Sequence, residues 1–214
     1  MNGRAWIRVA AFGCAAVLLL ALGAALRPLF TDDPGASREV LSDTEIGFVQ
    51  DMLAHHNQAL LIVARLEPGA DPTVRALAQQ IADTQRTEIG MLLGWLRLAR
   101  AGTTNPRPMA WMHNIAPDAS GHHHSSSTED AASGRMPGMA SRDELDALAD
   151  ARGTQAETQF LRLMQRHHYG GIQMAHAADG LLTSGVVKQT ARDMVTGQGR
   201  EAGLMGLLLA QRAV

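Results

Sequence analysis

Met52, His55 and His56 lie in the stretch FVQDMLAHHNQALLIV at 48–63, and Met164, His167 and His168 lie in FLRLMQRHHYGGIQMA at 160–175. Both stretches read Phe, three residues, Met, two residues, His-His, two residues, then a small residue. Thioether with imidazole suits Cu(I), imidazole alone suits Cu(II) or Zn(II), and no oxygen-rich set for Mg or Ca accompanies them. Methionine at i with histidines at i+3 and i+4 presents three side chains on neighbouring turns of one helical face. Each copy is then a partial site that the other can complete.

The elements that must position these residues are helices. At about 100° per residue, Phe48, Met52, Ala59, Val63 and Leu66 form one apolar stripe with His55 and His56 straddling it. Phe160, Met164, Gly171, Ala175 and Leu182 do the same around His167 and His168. A capping box at Ser42 and Glu45 opens the first helix, which Pro68-Gly69 ends. Asp71-Pro72 opens a second helix that runs to about Arg100 and stops at Gly102. Its buried stripe carries Gln85 and Glu88, which need partners, and the imidazoles of the facing helix are the obvious ones. Ser141 and Glu144 cap a short helix, and Thr154 and Glu157 read as a further capping box opening the helix of the second His-His copy. The last helix spans about 187–212 and repeats the polar pair as Gln198 and Glu201. The His-His copies are offset by 112 residues and the Gln/Glu pairs by 113, so the chain reads as a duplicated helix hairpin. The fold class expected is all-α, a four-helix bundle over 42–212 built from that duplication, with an N-terminal membrane segment. Gln85, Glu88, Gln198 and Glu201 are expected to orient the imidazoles by hydrogen bonds. His176 falls off the stripe and is expected at the surface, while Met174, Met194 and Met205 read as core.

Composition agrees with helix. Hydrophobic residues make up 46% and aromatic ones only 4%, a balance that favours helix over sheet. The formal charge of −2 carries no polyanion-binding signature, so nucleic acid is not an expected partner. Arg4 and Arg8 precede an uncharged run from Val9 to Leu26, closed by Arg27. Residues 1–30 therefore read as a signal peptide or transmembrane anchor, with 31–41 as a linker and the remainder exported. Without those three arginines the balance is −5, a mildly acidic domain outside the membrane. Cys14 is the only cysteine and rules out an intramolecular disulfide. No nucleophile and base in a recognisable setting, and no phosphate loop, is present, so no enzyme activity is expected.

Residues 103–140 read as a flexible insert between the hairpins, with prolines at 106, 108, 117 and 137 and a His122–His124 tract. Met109, Met112, His113, Met136 and Met139 lie in it, the last two in M-P-G-M. Methionines in a polar, proline-rich segment have no evident core to fill, which makes them candidates for an auxiliary metal site.

The doubled F-x3-M-x2-HH-x2-[AG] motif, the Q-x2-E helices and the M-P-G-M segment resemble the DUF305 family over about residues 42–210. That resemblance implies a ferritin-like four-helix bundle in an exported protein, and the family includes a periplasmic cyanobacterial protein that binds copper. Carried over by residue, it points to Met52, His55, His56, Met164, His167 and His168. Tyr169-Gly170-Gly171 stands where the first copy has Asn57-Gln58-Ala59, so the halves need not bind equally. The Glu-x-x-His pairs of di-iron bundles are absent. The expected function is copper or silver sequestration or delivery without turnover. Two alternatives stand beside it: a structural or interaction module of a membrane complex, and a protein with non-covalently held haem, since no C-x-x-C-H motif occurs.

Overall fold

The computed structural model describes residues 13, 15–26, 40–114 and 136–212. Cys14, residues 31–39 of the expected linker and the His122–His124 tract lie outside them. Two compact units are distinguished, Met1–Glu39 and Val40–Val214. The first contains helix α1 over residues 15–26, with Val17, Leu18, Leu19 and Leu20 exposed. Among the described residues no helix is long and apolar enough to cross a membrane.

The second unit is helical, with no strand among its described residues. Helix α2 spans Asp43–Arg65, α3 Pro72–Leu98, α4 Arg142–Asp150, α5 Gly153–Leu181 and α6 Val186–Arg212, with one 3-10 turn at Ala110–Asn114. Local chemistry sets the boundaries. The Ser42 side chain accepts from the Glu45 amide at 3.3 Å while Glu45 accepts from the Ser42 amide at 2.8 Å, completing the capping box. Asp71 accepts from the amides of Thr73 and Val74, and these bonds hold its carboxyl below the usual range. Ser141 and Glu144 form the second box. Arg166 pairs with Glu144 through both carboxylate oxygens at 2.7 and 2.8 Å, and the Glu144 carboxyl is lowered to about 2, chiefly by that bond.

The expected box at Thr154 and Glu157 does not form. The helix starts at Gly153, the capping residue is Arg152 with no side-chain cap bond, and Glu157 is turned inward. There it accepts from the Asp71 amide at 2.8 Å and from Arg212 at 2.9 Å, joining the ends of three helices. A tertiary ion pair has outcompeted a local bond worth about 1 kcal/mol.

Helices α2 and α3 form one hairpin and α5 and α6 the other, and both contribute to two separate apolar cores. One core gathers Phe48, Met52, Leu92, Leu96, Met109, Trp111, Met174 and Met194. The other gathers Ile62, Val74, Ile81, Leu148, Phe160, Leu161, Met164 and Met205. Leu41, expected in the linker, is buried in the first core. The insert is also more ordered at its ends than its composition suggests. Asp51 of α2, buried and with its carboxyl pushed up by that burial, accepts from the Met109 amide at 2.7 Å and from Trp111 Nε1 at 2.8 Å. Trp111 then meets Phe48 edge-to-face at 5.4 Å. The insert methionines thus do have a core to fill: Met109 is fully buried, and Met112 and Met136 pack against the same cluster. Of the four glycines of α6, Gly206 alone approaches a neighbour, Gln165, while Gly197, Gly199 and Gly203 face open space.

Candidate metal centre

A polar layer separates the two cores. Along each long helix the members of one core give way to those of the other across about one and a half to three turns: between Leu53 and Ala59, Ile81 and Leu92, Met164 and Met174, and Met194 and Ala202. His55, His56, His167, His168, Gln85, Gln198 and Glu201 fill those turns and are buried. An unpaired polar group at such depth costs about 1 to 3 kcal/mol, so each nitrogen and oxygen has to be accounted for.

Three imidazoles have one nitrogen satisfied. His56 Nε2 donates to Glu88 at 2.6 Å and His168 Nε2 donates to Glu201 at 2.8 Å, the same bond in each repeat. His55 Nε2 donates to the Pro137 carbonyl at 3.1 Å. A carbonyl and a carboxylate can only accept, which puts a proton on Nε2; in a neutral ring that leaves the lone pair on Nδ1. The Nδ1 atoms of His55, His56 and His168 have no partner, nor does either nitrogen of His167. Gln85 Oε1 and Gln198 Nε2 are also buried without partners.

The histidines of the two repeats meet. The His55 and His167 rings stack with centroids 3.8 Å apart and planes inclined by 32°, and the His167 and His168 centroids are 6.4 Å apart. Burial drives the His55 pKa down from 6.5 to about 3, aided by the neighbouring charge His56 would carry and opposed by the Pro137 carbonyl. His167 is held well below its ordinary value by burial and then by His55, His168 and His56, with the His55 backbone opposing. Neutral rings with free lone pairs are the protonation state a metal needs. Among the described residues, no three His, Cys, Asp or Glu side chains are already arranged to hold an ion. The stack explains this, because lone pairs lie in the ring planes and two nearly parallel rings cannot both aim at one ion about 2 Å away.

The four imidazoles expected as ligands are therefore brought together, and of the residues expected to orient them Glu88 and Glu201 are bonded to a ring, whereas Gln85 and Gln198 are buried without a hydrogen bond to any imidazole. The two thioethers are not brought to each other, since Met52 belongs to one core and Met164 to the other. Met109, Met112 and Met136 sit in the first core, Met139 is half-buried in the M-P-G-M segment, and His113 lies in the 3-10 turn. His176 is exposed and Met174, Met194 and Met205 are core, as expected.

Sequence reasoning missed Gln58, Pro137 and Gly170. Gln58 binds Ala140 in both directions, its amide donating to the Ala140 carbonyl at 2.9 Å and its carbonyl accepting from the Ala140 amide at 2.6 Å. A methyl at residue 170 would overlap the Pro137 carbonyl, and one at 171 would overlap the Gln198 amide. The available signal was the Gly170-Gly171 pair in mid-helix, where glycine costs about 1 kcal/mol each and so marks close approach of another chain segment.

A family model for DUF305, a domain of unknown function, matches residues 45–209. The fold is similar to a DUF305 protein of Streptomyces coelicolor, provisionally described as secreted, at 37% identity and TM-score 0.68, covering 80% of this chain and 94% of that one. A DUF305 fragment from Deinococcus radiodurans matches at 34% identity and TM-score 0.62, over 79% of this chain and 97% of that one. CopM in its Cu(II)-bound form shares the fold at 21% identity and TM-score 0.54, over 78% and 96%. No curated protein matches. The doubled histidine motif, the helical architecture and these likenesses agree, and the chain belongs to the DUF305 family.

Proposed function

We propose that this chain is an exported, non-catalytic metal-binding protein that sequesters or delivers copper, with silver as a chemical neighbour. Its four long helices act as a four-helix bundle around one buried imidazole site. The observation that carries the reading is the set of orphaned ring nitrogens: Nδ1 of His55, His56 and His168 and both nitrogens of His167, all buried at the centre of the fold. Leaving that many ring nitrogens unpaired is costly, and a metal ion is the simplest group that would satisfy several at once. His55, His56, His167 and His168 would hold it, the first, second and fourth through Nδ1 because Nε2 is committed elsewhere. Glu88 and Glu201 would raise the basicity of their rings. Coordination would require the His55–His167 stack to open by rotation of a ring. Met52 and Met164, one on each side of the layer, are the thioethers available to a Cu(I) ion. Export is supported by the apolar N-terminal run and by the secreted description of the Streptomyces relative.

A second reading is favoured by the paired His–Glu bonds, which tie the helices of each hairpin together and would fix their register without any ion. Titration of the purified chain with Cu(I) and Cu(II), beside a variant carrying His→Ala at 55, 56, 167 and 168, separates the two. Stoichiometric copper lost in the variant supports the metal reading, and copper uptake unchanged by the substitutions rejects it. A Soret band on exposure to haem would favour a haem protein instead.

A further inference from the structure

The repeats share the His–Glu bond but differ at the first histidine of each pair: the His55 ring is bonded to a backbone carbonyl from the insert, and neither ring nitrogen of His167, its counterpart, has a hydrogen-bond partner. We propose that Gly170 and Gln58 are positioning residues for His55, seating the Met136–Ala140 strap so that the Pro137 carbonyl takes the Nε2 proton and leaves the Nδ1 lone pair to the buried cluster.

The strap is held from two sides. On α2, Gln58 lies three residues after His55, on the same helical face, and pairs with both backbone groups of Ala140. On α5, Gly170 removes the side chain that would otherwise fill the strap's path, since a methyl there would overlap the carbonyl carbon and oxygen of Pro137 and the Gly138 nitrogen. Gly138 completes the fit. Its φ of +74° turns the strap against α5, and a methyl at that residue would run into the Arg166 carbonyl and the Cα atoms of His167 and Gly170. Pro137 is buried, and it delivers its carbonyl to a ring with no exposure at all.

A neutral imidazole exchanges its proton between two nitrogens unless a partner selects one. The strap makes that selection for His55. No carbonyl of the insert serves His167, because the insert occurs once, between the hairpins; the His55 backbone acts on that ring only electrostatically, without a bond of hydrogen-bond geometry. The duplication thus supplies two like rings and the strap makes them unlike: one with a fixed donor and acceptor, the other able to present either nitrogen. The value of this difference to a bound ion rests on the metal reading above; the tautomer itself does not.

The test uses the metal-free full chain with 15N-labelled histidine. In the wild type, the ring nitrogens of His55 should give two well-separated shifts, protonated Nε2 and unprotonated Nδ1. In Gln58→Ala and Gly170→Ala these shifts should move toward each other as both tautomers populate, while His168, held by Glu201, keeps its wild-type signals and reports that the bundle is intact. Losing the Gln58 clasp should also raise strap opening on the order of tenfold, read as faster carbethoxylation of His55 relative to exposed His176. If Gly170→Ala fails to fold, Gln58→Ala decides alone. Wild-type His55 shifts in folded Gln58→Ala, or a proton on Nδ1 in the wild type, would overturn the proposal. Copper titration of the same samples is read separately, so a chain that binds no copper but shows the tautomer change refutes only the metal reading.

Discussion

Replacing Glu201 with alanine should cost more than replacing Glu88, although the two occupy the same place in the repeat. Both accept a hydrogen bond from a fully buried imidazole, at 2.8 Å from His168 and 2.6 Å from His56. Their surroundings differ: the Glu201 side chain is 8% exposed and the Glu88 side chain 20%. Truncation strands an N–H donor, at about 1 to 3 kcal/mol. Water can enter through the opening left at residue 88 and take over the bond, which holds the loss there near 1 kcal/mol. The Glu201 side chain is more enclosed and gives water less access, so the loss there should be about 2 to 3 kcal/mol. For a unit of this size each kcal/mol lowers Tm by about 2 to 4 °C, so Glu201→Ala should lower it by about 4 to 12 °C and Glu88→Ala by about 2 to 4 °C. Glu201→Gln keeps an acceptor and should lose less than Glu201→Ala. The assay is thermal and urea unfolding of the metal-free chain near neutral pH. Equal losses at the two positions, or a loss at Glu201 within about 0.5 kcal/mol, would refute the claim that the histidine layer is a dry, hydrogen-bonded interior.

Other outcomes follow from the same geometry. The folded chain resists protonating His55 until about pH 3 whereas the unfolded chain protonates near 6.5, so metal-free stability should be complete above about pH 6.5 and fall as pH drops through that window. Denaturant midpoints that stay flat across it would contradict the burial of neutral rings. Asp51→Ala should strand the Met109 amide and Trp111 Nε1, costing about 2 kcal/mol or more and speeding amide exchange at Met109. Unchanged exchange would show that the start of the insert is held by something else. Gly199→Ala and Gly203→Ala point into open space on α6, and each should stabilise by about 0.5 to 1 kcal/mol in urea titrations.

The helices, the duplication and the inward turn of the histidines were legible because they rest on local signals: capping residues, Pro and Gly punctuation, and a repeat with one spacing written twice. Gln85 and Gln198 could be placed in the interior for the same reason, since periodicity reports which face a residue occupies. Failures came where a distant partner overrode a local preference. Glu157 had the spacing of a capping box, yet Asp71 and Arg212, far away in the chain, claimed its carboxylate. Met109 and Met136 sat in a segment that looked solvated, and nothing within that segment announces that Asp51, Gln58 and His55 pin its ends onto α2. The split of Met52 and Met164 between two cores was likewise unreadable, because spacing gives the face of a helix but not which way its neighbour runs.

X-ray absorption at the copper edge, recorded on the chain loaded with one equivalent and on the variant with alanine at 55, 56, 167 and 168, tests most directly whether the buried imidazoles share an ion. The account predicts nitrogen scatterers at about 2.0 Å with the outer-shell pattern of imidazole in the wild type, and loss of that pattern in the variant. Spectra that are the same for both proteins, or a wild-type ion surrounded by oxygen alone, would contradict it.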